Sequence, residues 1–148
     1  MIEIQNEATT YPEIDREMLM FAISTTLGLM GKEEADITLR LTSDSEVHQL
    51  NQAFRGFNET TDVLSFNQDL VDPQSGRFYL GDILISLDRA ALQAPENNHS
   101  LDEECAFLAI HGTLHLLGFD HAGDSDRERM WKTQDEIFKK VINEFQGE

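Results

Sequence analysis

Three histidines stand at a spacing that suits a single metal ion: His111, His115 and His121, in the run His111-Gly112-Thr113-Leu114-His115-Leu116-Leu117-Gly118-Phe119-Asp120-His121. Residues four apart on a helix lie one turn above each other, so His111 and His115 can offer both imidazoles to one ion. Gly118 can take positive φ and turn the chain sharply. That turn can return His121 to the same ion as a third ligand. Three protein nitrogens with an open fourth position define a catalytic zinc site, whereas structural sites usually close with four protein ligands. The one cysteine, Cys105, cannot supply the thiolates of a closed site. The expected cofactor is therefore one zinc ion per chain.

The spacing matches the metzincin protease pattern H-E-x-x-H-x-x-G-x-x-H except at one position, where Gly112 replaces the glutamate general base. Amide cleavage without that carboxylate lacks the group that protonates the leaving amine. A phosphodiester has a better leaving group and depends more on charge stabilisation, so it suits this residue set better. Asp120 reads as a partner to a ligand, a proton acceptor or a turn-forming aspartate. His48 and His99 lie in polar surroundings, lack partners at ligand spacing, and read as surface histidines.

The elements that must position these groups follow from periodicity. Ile2 and Ile4 alternate with polar residues and suggest a first strand. Pro12 suits the first turn of a helix that places Ile14, Met18, Phe21, Ala22, Thr25 and Leu29 inward and ends at Gly28 or Gly31. Ile37, Leu39 and Leu41 mark a half-buried strand. Ser43 and Glu46 form a capping box for a helix through about Phe54, with Val47, Leu50 and Phe54 inward. Val63 to Phe66 and Tyr79 to Leu87 read as strands. Asp72-Pro73 and Ser75-Gly76 between them signal a turn, so the two should pair antiparallel. Asp88 to Gln93 reads as a short helix.

A second capping box, Ser100 with Glu103, opens an apolar helix to Leu117 that buries Cys105, with Gly118 closing it. Asp124 would cap a last helix with Met130, Trp131, Ile137, Val141 and Phe145 inward. The expected fold is α+β, of α/β type. Residues 1–148 form a single domain, a small mixed four-stranded sheet packed with about five helices, with the metal site at a helix end.

The net charge is −17 over 148 residues. An acidic surface repels nucleic acid within about a Debye length, roughly 8–10 Å in ordinary salt. Charge alone favours a protein partner, and an RNA partner would need a local basic cleft or presentation by a larger assembly. The N-terminal residues lack the basic start and apolar run of a signal peptide, and apolar stretches such as 18–23 are too short for a bilayer. With the single cysteine, this points to the cytoplasm and to no membrane partner.

The run from His111 to His121 closely resembles the signature of the YbeY endoribonuclease family, bacterial rRNA-maturation proteins. Phe54-Arg55 followed by Thr61-Asp62-Val63-Leu64-Ser65-Phe66 is similar to that family's arginine and T-D-V-L-S-F segment. Leu80-Gly81-Asp82-Ile83-Leu84-Ile85-Ser86 is similar to its L-G-D-I-x-I-S strand. The resemblance implies a single-strand-preferring, metal-dependent endoribonuclease acting in 16S rRNA 3′-end maturation and ribosome quality control. Its partners would be rRNA and the ribosomal subunit or its proteins, with no DNA. The resemblance places the metal ligands at His111, His115 and His121 and the functional arginine at Arg55.

A guanidinium at Arg55 can clamp a phosphodiester through two oxygens, or can serve as a cation at a helix C-terminus. Arg77 and Arg89 flank the fourth strand as cleft or surface charges, and Asp82 is structural or a partner to the site. Two rival readings remain at this stage. One is a metal hydrolase of another substrate, such as a degenerate metallopeptidase. The other is a ribosome-assembly factor with a mainly structural zinc that binds basic ribosomal proteins.

Overall fold

The computed structural model describes residues 1–7, 13–55, 61–119 and 123–146, the side chains of Arg55 and Gln146 excepted. The order of elements is β1 (Ile2–Asn6), α1 (Arg16–Leu29), β2 (Ala35–Thr42), α2 (Asp44–Arg55), β3 (Val63–Val71), β4 (Phe78–Ser86), α3 (Leu87–Gln93), α4 (Leu101–Leu116) and α5 (Asp124–Gln146), with one 3-10 turn at Pro95–Asn97. The sheet runs β1-β2-β4-β3. β1, β2 and β4 are parallel, and β3 pairs antiparallel with β4. The expected mixed four-stranded sheet with five helices is what forms. The turn between β3 and β4 is closed by Asp72, whose N–H donates to Arg77 O and whose carboxylate accepts from Gln74 N.

The two faces of the sheet are covered differently. On one, Ile4, Ile37, Leu39, Ile83 and Ile85 pack against α1, α4 and α5 in a core that includes Leu19, Ile110, Leu114 and Val141. Full burial of such a side chain stabilises by about 1.5–3 kcal/mol. On the other, Leu64 and Leu84 meet Val47 of α2, with Leu50 and Phe66 packed beside them. Strand alternation produces this division: Leu64 and Leu84 point one way, Ser65 and Ile83 the other.

Local signals account for the boundaries. Asp15 caps α1, which starts at Arg16: its carboxylate accepts from Met18 N. Pro12 itself lies outside the described residues. The buried stripe of α1 is Leu19, Ala22, Ile23, Thr26 and Leu27, so Leu29 faces solvent rather than the core. Ser43 Oγ accepts from Glu46 N as a cap should, while the Glu46 carboxylate takes Arg40 and Thr42. Phe54, expected inward, is exposed and meets Phe66 edge-on at the rim of the small cluster. Ser86 starts α3 by accepting from Arg89 N. The capping box at Ser100 and Glu103 has both of its arms. Cys105 is fully buried, as expected, and burial pushes its thiol up to about 12.

Candidate metal centre

The histidine helix α4 lies across the sheet unusually close to β3 and β4. A Cβ on Gly112 would stand 2.7 Å from Ile83 Cγ2 and 3.1 Å from Ser65 Oγ. Two hydrogen bonds fasten the helix there: Ser65 Oγ donates to Gly112 O at 3.0 Å, and Asn67 Nδ2 donates to Leu116 O at 2.8 Å. This explains the missing protease glutamate. The residue after His111 points into the sheet, where no side chain fits, so a carboxylate at this position could not face a substrate. The helix then ends in a Schellman turn, with Gly118 N donating to His115 O and Phe119 N to Leu114 O. Gly118 has φ of 100°, a conformation that requires glycine.

His111 and His115 are half-buried on the side of α4 that meets α5. Their Nε2 atoms lie 3.1 Å apart. Two nitrogens bound tetrahedrally to one ion at 2.0–2.1 Å would be separated by about 3.3 Å, so the pair fits a shared zinc-class ion. On the other side of His111, Nδ1 is 2.9 Å from Gln134 Oε1. An amide oxygen can only accept, so His111 carries its proton on Nδ1 and turns the Nε2 lone pair toward His115. Gln134 is 3% exposed. Sequence reasoning misses it, although a polar residue on the stripe of Met130, Ile137 and Val141 is a signal. His121 and Asp120 lie outside the described residues. Among the described residues no three His, Cys, Asp or Glu side chains gather around one point.

The other candidates separate from this pair. His99 is not a surface histidine. Its side chain is 18% exposed, and Nδ1 lies 2.9 Å from a carboxylate oxygen of the buried Glu104. Its ring packs against Phe107 and Phe138. The polar neighbours in the sequence hide a partner that the N-terminal turn of α4 brings back. His48 is half-buried on α2. Arg77 and Arg89 are engaged by Asp36 and Asp44. Asp82 accepts from the Tyr79 hydroxyl and from Gln68, on the face of the sheet away from α4, and so is structural. Burial and this carboxylate push the Tyr79 phenol up to about 12.

Arg55 is the last residue of α2, and its side chain lies outside the described residues. Of the two elements that flank Arg55 in sequence, β3 lies beside the histidine helix. α2 packs on the opposite face of the sheet from α4. Trp131, expected inward, is 57% exposed. It lies one residue beyond Met130, about 100° round the helix.

The family model for endoribonuclease YbeY matches residues 2–142. The chain belongs to the YbeY endoribonuclease family. It is 36% identical to the endoribonuclease YbeY of Desulfitobacterium hafniense, over 95% of this chain and 96% of that one. It is 46% identical to the endoribonuclease YbeY of Chloroflexus aurantiacus, over 71% and 72%. Its fold is similar to the solution structure of TM1509 from Thermotoga maritima, with a TM-score of 0.64 and 26% identity over 99% of this chain and 93% of that one. No helix among the described residues is long and apolar enough to cross a membrane.

Proposed function

We propose that this chain is a metal-dependent endoribonuclease that cuts single-stranded rRNA, acting in 16S rRNA 3′-end maturation in the cytoplasm. The observation that carries the reading is the convergence of His111 and His115 Nε2 at 3.1 Å on a frame shared with proteins named endoribonuclease YbeY. His111, His115 and His121 would hold one zinc ion, which supplies a Lewis acid for a phosphodiester oxygen. Gln134 holds His111 in the tautomer that offers the Nε2 lone pair to that ion. Gly112 lets the histidine helix seat on Ser65 and Ile83, which fixes where both imidazoles stand. Arg55 would clamp the scissile phosphate and offset charge in the transition state.

The peptidase alternative is disfavoured by the steric exclusion of any side chain at Gly112. Single-turnover cleavage of an RNA strand carrying the 16S rRNA 3′-end sequence tests the proposal. Cutting that stops with chelator and returns with zinc supports it. A metal-loaded, folded protein that leaves RNA whole would leave the assembly-factor reading in its place.

A further inference from the structure

The acidity of the chain leaves RNA few places to lie, and the ion pairs narrow them further. Arg40 is held by Glu7 and Glu46, Arg77 by Asp36, Arg89 by Asp44, Lys139 by Asp135 and Lys140 by Glu144. Arg16 donates to Ile4 O, and Lys32 stands beside Glu33 and Glu34 in sequence. Arg127, Arg129 and Lys132, on the first half of α5, form no ion pair among the described residues. Two of them lie over aromatic rings instead. The Arg127 guanidinium is 5.9 Å from the Trp131 ring centre, and that of Arg129 is 5.1 Å from Phe119. Residues 124–132 carry three carboxylates (Asp124, Asp126, Glu128) against these three cations, so this stretch is neutral while the rest of the chain holds the whole −17.

The position of this stretch matters as much as its charge. Trp131 precedes Gln134 by less than one helical turn, and Gln134 touches His111. Trp131, Lys132, Gln134 and Asp135, the last paired with Lys139, join Phe107 in lining a shallow cavity of about 440 Å³. An exposed indole beside a cavity, with cations next to it that form no ion pair among the described residues, matches single-stranded nucleic acid. Bases stack on aromatic faces whatever their identity, and arginine takes phosphates.

We propose that the strand beside the cut bond lies along this face of α5, with one base stacked on Trp131 and flanking phosphates held by Arg127 and Lys132. The proposal rests on the endoribonuclease reading and adds to it a substrate path. Trp131 is the only tryptophan in the chain, so it reports on its own contact.

The test mixes metal-loaded protein rapidly with a single-stranded RNA oligomer and follows tryptophan emission before cleavage, with fluorescence anisotropy of an end-labelled strand in parallel. The expected result is saturable quenching that tracks binding and weakens with salt. Trp131→Ala should weaken binding about tenfold, about 1.4 kcal/mol, and Trp131→Phe should recover most of it. Arg127→Ala should reduce the salt slope by about one. RNA binding with unchanged Trp131 emission would overturn the proposal. So would a folded Trp131→Ala protein with wild-type affinity, or emission that answers to polylysine and not to RNA. If Trp131→Ala still binds and cuts RNA like wild type in a chelator-sensitive manner, this surface fails and the endoribonuclease reading stands. If wild type neither binds nor cuts RNA, both fail.

Discussion

Helix α4 has histidine clusters at its two ends, and they are built oppositely. At its N-terminus His99 is closed off: Glu104, 1% exposed, accepts from Asn97 and faces His99, while Phe107 and Phe138 cover the ring. One carboxylate serves one imidazole, and the group is complete without a ligand. At the other end two imidazoles face each other, and the buried partner behind His111 is the neutral amide of Gln134. The amide oxygen accepts from Nδ1 and so leaves the Nε2 lone pair of His111 facing His115. The first arrangement is a lock between the helix start and α5, and the second is the pair proposed to hold an ion. The contrast teaches that burial alone does not separate the two ends, while a second imidazole facing the first does.

Substitutions at each end should break this contrast in different observables. The largest effect is expected from His115→Ala, which should abolish metal binding and RNA cleavage while melting close to wild type, because α4 is anchored by Leu108, Ile110 and Leu114 in the core. Unfolding of that variant at room temperature would make the second cluster structural like the first. Next comes Arg55→Ala. Loss of one electrostatic stabiliser of a transition state typically costs a hundredfold or more in turnover, roughly 2.7–4 kcal/mol. Arg55→Lys should remain impaired, since it keeps the charge and loses the planar fork. Zinc content should not change in either, and wild-type turnover would remove the arginine from the mechanism.

At the first cluster, Glu104→Ala strips Asn97 and His99 of their shared acceptor. Leaving such groups unsatisfied costs about 1–3 kcal/mol, which lowers the melting temperature by several degrees. Cleavage per folded molecule and zinc content should stay at the wild-type level. A loss of zinc in this variant would mean that the two ends are coupled.

The smallest effect belongs to neither cluster and serves as a control. Asp36, between Arg77 and the N-terminal ammonium, has its carboxyl held down to about 2 by the guanidinium first of all. A lowered folded-state value means that its stabilisation is present above the ordinary carboxylate value of 3.8 and is lost as pH falls from there toward 2. In Arg77→Ala, NMR titration should find Asp36 nearer the ordinary value, with no effect on cleavage at neutral pH.

The local parts of this design are readable in the sequence. The i, i+4 spacing puts His111 and His115 on one face, and Ser100 with Glu103 marks where their helix starts. Gly118 marks where it stops. What escapes depends on contacts between distant residues. Gln134 is 23 positions from His111, and His99 reads as polar until the fold supplies Phe138. Trp131 is apolar and reads as core, yet the stripe it flanks passes through Gln134 instead. The side of the sheet that α2 covers is hidden because β4 is apolar on both faces, Leu84 on one and Ile83 and Ile85 on the other. The periodicity of β4 therefore does not say which face α2 covers, and the fold puts α2 across the sheet from α4.

The central claim is that the imidazoles of His111 and His115 converge because they share a metal ion with His121. X-ray absorption at the zinc edge, on protein loaded with one equivalent, tests it most directly. The account predicts three imidazole nitrogens at about 2.0–2.1 Å, with that imidazole scattering lost when the same zinc is offered to His115→Ala. A spectrum without imidazole scattering, or one unchanged by His115→Ala, would contradict it.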